Sequence, residues 1–120
     1  MGNLRSEEMM EVINSGRFCR VAMCMNQRAY VFPMCYKTEC IENSLYIKLT
    51  SICSDESVEL PLDNPLITIE FEFIGGDYIY TVNLEGLITK ICVDDNSKYN
   101  ILVKPLELNG RYFKNCECMI

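Results

Sequence analysis

The stretch RAYVFPMCYK, Arg28 to Lys37, decides how this chain is read. Tyr30, Phe32, Met34 and Tyr36 fall on one face of an extended chain, and Val31, Pro33 and Cys35 on the other. The run has the alternation of a core strand, yet a proline stands in its middle. Proline has no N–H to give to a ladder, so it belongs at a sheet edge or a bulge. The neighbours of this strand must therefore explain why Pro33 is tolerated.

The rest of the chain narrows the classes. Its 120 residues read as one domain, residues 1–120. Hydrophobic residues make up 49% and charged residues 23%, which is ordinary globular usage. A net charge of −6 argues against nucleic acid as a partner, because phosphate neutralisation needs a basic face. No apolar run approaches the ~18 residues of a membrane span. The opening MGNLRSEEMM carries acids early and no apolar signal region, so a cytoplasmic protein with no membrane partner is expected. The eight cysteines read mostly as free thiols, small hydrophobes in a reducing compartment. The close pair Cys116 and Cys118 lacks C-x₂-C spacing and has no histidine beside it, so its spacing does not support a zinc site.

Working outward, Ser6 can cap a helix to Ser15, with Glu7 and Glu8 at the positive end of its dipole. Met9, Met10, Val12 and Ile13 give that helix an apolar stripe, and Gly16 stops it. Arg17–Met25 and Tyr30–Lys37 read as a hairpin, Glu39–Asn43 as a second turn, and Ser44–Thr50 as a third strand. Ser54 can open a short connecting helix that Pro61 ends. Leu66–Phe73 alternates, with Ile67, Ile69, Phe71 and Phe73 inward. Ile74–Asp77 is a loop, and Tyr78–Val93 is too long for a flat strand, so Gly86 is read as a bulge or bend. The segments YNILVKPLEL and RYFKN add a strand or a short helix. The order predicts a mainly β protein, a small antiparallel barrel with an N-terminal helix and one short connecting helix.

With no histidine, Ser-His-Asp and Cys-His arrangements cannot form, and no Walker or G-x-G-x-x-G loop follows a strand. Reactivity, if there is any, falls to a cofactor.

In order, GRFCRVAM (Gly16–Met23), AYVFPMCY (Ala29–Tyr36), LYIKLTS (Leu45–Ser51), LDNPLITIEFE (Leu62–Glu72) and YTVNLEGLITKI (Tyr80–Ile91) resemble the pyridoxamine 5′-phosphate oxidase-like split-barrel flavoproteins. The nitroimidazole-resistance branch is the most similar. The resemblance covers Arg5 to about Val93 and implies a split β-barrel of the FMN-binding type. It also implies a homodimer with flavin mononucleotide at the interface and a small-molecule substrate. Main-chain groups around Pro33, Met34, Cys35 and Tyr36 would meet the flavin ring, and Arg20 would sit where relatives carry a basic residue. Val21 and Ala22 would line the same wall, and Lys48 replaces a histidine. Thr50, Ser51 and Ser57 lie in or near the connection that holds phosphate in relatives. Tyr30 or Tyr36 either stacks on a ring or packs in the core.

There are departures. Where relatives carry a phosphate-binding cation, this chain has Asp55, Glu56 and Ser57, and each close acid would repel a phosphate. The expected activity is hydride or electron transfer from a reduced nicotinamide-type donor to a nitroaromatic-like or pyridoxamine-phosphate-like acceptor. The alternative is a non-catalytic split-barrel dimer, or a small-ligand sensor that has lost the flavin phosphate site. A thiol or metal protein using Cys116 and Cys118 is a third reading.

Overall fold

A computed structural model describes residues 2–25, 27–51, 65–96 and 98–114. The predicted connecting helix, Ser57, Cys53, Cys116 and Cys118 lie outside these residues. Ser6–Ser15 form helix α1, the range that the apolar stripe predicts. Its cap differs from expectation: Arg5 holds the cap position and Ser6 is the first helical residue. Glu8 Oε1 accepts the Arg5 backbone N–H at 3.0 Å, which satisfies a donor that the expected serine cap would have left to water. Val12 and Ile13 are buried, so α1 lids one end of the molecule.

The strands are β1 (Gly2–Asn3), β2 (Phe18–Met25), β3 (Arg28–Ile41), β4 (Ser44–Ser51), β5 (Leu66–Gly75), β6 (Tyr78–Val93) and β7 (Tyr99–Lys114). All their pairings are antiparallel. The order β7-β4-β3-β2-β5-β6 closes on itself through β6–β7, and β1 adds to β7. Closure leaves no continuous sheet edge. The inward residues of every barrel strand meet in one core that includes Val21, Ile47, Leu49, Phe71, Leu84 and Val103.

Three sequence expectations change. Glu39–Asn43 is not a wide turn: β3 runs to Ile41, and Glu42 and Asn43 alone reverse the chain, with φ of 50° and 66°. Positive φ at both central residues is the type I′ geometry that matches strand twist. The two tail segments, read as a strand or a short helix, are one element. They form the 16-residue β7, which pairs with both β4 and β6 and closes the barrel. Its Pro105 stands opposite Gly86, where the β6–β7 register shifts, so the missing N–H falls at a bulge. Gly86 is thus the predicted bend, and any Cβ there would collide with Val103. Phe73 has the inward phase but is 43% exposed. It lies beyond the core with Tyr78, Tyr80 and Tyr112, in an aromatic row with ring centroids 5.9–6.4 Å apart.

The structure accounts for Pro33. The Tyr36 N–H donates to the Arg17 carbonyl at 2.9 Å, so the even residues of β3 direct their main-chain groups at β2. Pro33 nitrogen therefore points the other way, toward the β4 side. The last described pair there is Met34–Ser51, one residue short of Pro33. No bond to β2 is lost, and Pro33 keeps its register opposite Arg20.

Candidate functional site

Alternation sorts the predicted residues between inside and outside. Val21, Met34 and Tyr36 point into the core and are at most 5% exposed. Val21 and Ala22 do not share a wall, since Ala22 faces outward on the opposite side of the strand. Tyr36 packs edge-on against Phe71 with centroids 4.8 Å apart, and its hydroxyl donates to the Ile13 carbonyl at the end of α1. Burial, and the thiol of Cys19 close by, raise the pKa of the Tyr36 hydroxyl above its ordinary value. That hydroxyl anchors the lid. Tyr30 is 41% exposed and stays clear of the buried core.

Outside, the predicted residues divide between two recesses. The larger is an open groove of about 890 Å³ over the outer face of β3 and β4, bounded by the end of α1. Cys35, Tyr36, Lys48 and Thr50 line it, and so do Arg17 and Lys37, which sequence reasoning passed over. Every charged residue among its described lining is a cation. Among the described residues, Arg17, Lys37 and Lys48 make no ion pair. The polar edge is ordered: Thr50 Oγ1 lies 3.1 Å from Asn100 Oδ1, and Thr38 Oγ1 lies 3.3 Å from Asn14 Oδ1. Ser51 has the inward phase of β4, and its Oγ accepts the Tyr99 N–H at 2.9 Å.

The smaller recess, about 380 Å³, holds Arg20 and Pro33 with Glu70, Glu72 and Phe73. Arg20 faces Glu70 across the β2–β5 seam, and Glu72 is the diagonal neighbour. Its Nη1 donates to Glu70 at 3.2 Å and to Glu72 at 3.1 Å. Those carboxylates, Glu72 foremost, raise the guanidinium's pKa further. Arg20 is therefore a clasp on the three-pair seam between β2 and β5, already matched by two acids. Phe18 lines both recesses and is 63% exposed between them.

Lys37 could have been found from the sequence. A two-residue turn at 42–43 places Lys37 opposite Lys48, a register that the wider predicted turn hid. Arg17 carries no such signal, because its place in the groove depends on where α1 packs.

No family model and no curated protein matches this sequence. Solved structures do match its fold. A FAD-binding protein from Mesorhizobium loti superposes with a TM-score of 0.75 at 15% identity, covering 94% of this chain and 98% of its own. The FAD-binding protein of Mycobacterium smegmatis gives 0.71 at 12% identity, covering 94% and 100%. A candidate pyridoxamine 5′-phosphate oxidase from Corynebacterium glutamicum gives 0.69 at 15%, covering 94% and 98%. The chain has the split-barrel fold that the sequence predicts. Among the described residues, no helix is long and apolar enough to cross a membrane.

Proposed function

We propose that this chain is a cytoplasmic flavin-binding split barrel that uses flavin mononucleotide as a homodimer, and that it passes electrons from a nicotinamide-type donor to a small acceptor. The observation that carries this reading is the groove beside β3 and β4. It gathers Cys35, Tyr36, Lys48 and Thr50 of the residues expected at the cofactor, and it is lined by cations in a chain of net charge −6. The lining fits a planar, phosphorylated ligand. Cys35 and Phe18 offer apolar surface, Thr50 and Asn100 offer hydrogen bonds, and the cations offer charge. A flavin there supplies hydride chemistry.

The chain's own share is binding, orientation and exclusion of water. It has no histidine, and the Tyr36 hydroxyl is engaged by Ile13, so no proton-transfer role is assigned to either. The non-catalytic alternative draws on Arg20, whose charge is already met by Glu70 and Glu72. Titrating the purified protein with flavin mononucleotide separates the two. Quenched flavin fluorescence with one site per chain, followed by turnover with a reduced nicotinamide and a nitroaromatic, supports the oxidoreductase. Binding without turnover leaves the sensor or structural dimer, and absence of binding removes the flavin reading. Size-exclusion chromatography with light scattering tests the dimer.

A further inference from the structure

Lys37 and Lys48 stand directly opposite each other in the β3–β4 ladder, on the outer face. Like charges at directly opposed positions destabilise a sheet. Glu39 is on the same face, two residues along β3 and diagonal to Lys48, but it makes no ion pair with either lysine, and no acid lines the groove among the described residues. Arg17 adds a third positive charge to the same space. Two cations elsewhere do have carboxylate partners: Arg20 has Glu70 and Glu72, and Arg5 has Glu8. Among the described residues the groove thus holds a like-charge pair with no ion-pair partner, beside a recess of ligand size with Thr50 and Asn100 on its edge.

We infer that Arg17, Lys37 and Lys48 form a seat for a phosphate monoester, taking the role that a loop cation plays in relatives and that Asp55 and Glu56 cannot play here. The rest of the ligand is identified only through the flavin reading above. A dianion between the two lysines turns their repulsion into two attractions, and Arg17 can hold two of its oxygens at once. The site selects flavin mononucleotide over riboflavin, which is the same ring without the phosphate.

The test uses the full-length chain with three probes: flavin mononucleotide, riboflavin and phenyl phosphate. Affinity is read by fluorescence or calorimetry, and stability by thermal melting. The wild type is expected to bind flavin mononucleotide at least about tenfold more tightly than riboflavin, and less so as salt rises. Lys37→Gln and Lys48→Gln should each abolish most of that preference. Without ligand, each should melt no lower than the wild type, because the repulsion is gone. That pairing of effects separates a ligand seat from a structural role. Equal binding of the two flavins, or undiminished phenyl phosphate binding by the double variant, overturns the seat. Phenyl phosphate bound through the lysines with no flavin bound keeps the seat and overturns the flavin reading. No binding of any probe overturns both.

Discussion

Cys19 lies inside the barrel, 5% exposed, with its Sγ 3.7 Å from the Met34 carbonyl. Burial first, and the neighbouring Cys35 second, push its thiol up to about 12. A thiol whose folded pKa lies above its unfolded value stabilises the native state fully below the unfolded pKa. That contribution is lost as pH rises from about 9 toward 12. Tyr36 shifts in the same direction. Stability should therefore fall on the alkaline side, and Cys19→Ala should show a shallower loss than the wild type between pH 8 and about 11. Melts across that range check this, and parallel curves would refute it. At neutral pH, alkylation followed by mass spectrometry should label the exposed Cys24, Cys40 and Cys92 well before Cys19. Tyr36→Phe removes the bond from β3 to the Ile13 carbonyl. It should cost about 1 kcal/mol in urea unfolding, since a buried carbonyl then loses its partner.

Each hairpin turn carries its own backbone demand. Between β3 and β4, Glu42 and Asn43 both have positive φ, though neither is glycine. Replacing the pair with Asn-Gly should stabilise the protein by about 0.5–1 kcal/mol, because those residues suit the type I′ turn. Urea unfolding measures this, and an unchanged midpoint would contradict it. Between β5 and β6 the chain already has glycine where φ is 60°, at Gly76. The bend of β6 is the opposite case. Gly86 is buried against Val103, Leu84 and the Lys104 carbonyl. Gly86→Ala forces a methyl into that contact and should cost about 1–3 kcal/mol. Loss of the bend would also disturb the place where Pro105 sits in β7.

At the level of the molecule, closure depends on β7, which bridges β4 and β6 and carries the lid's partner at Gly110. α1 connects to that frame through Tyr36 and through Leu4, whose N–H donates to the Gly110 carbonyl at 2.9 Å. Ligand bound in the groove touches α1, β3, β4 and β7 together, so it should stabilise the whole barrel. At 100 times its dissociation constant, flavin mononucleotide should add about 2.7 kcal/mol, seen as a raised melting temperature. Helix α1, the alternation of β3 and β5, and the bend at Gly86 were legible in the sequence, because 3.6- and 2-residue periods and a glycine inside a long strand are local signals. Pro33 announced a missing partner but could not say on which side. β7 was obscured by Pro105, whose cost disappears only when Gly86 shifts the register opposite it. Tertiary structure decided the surroundings of the cations. It gave Arg20 to two glutamates across a seam and brought Arg17, Lys37 and Lys48 to one groove. Charge pairing between strands depends on register and closure, and neither is encoded at any single position.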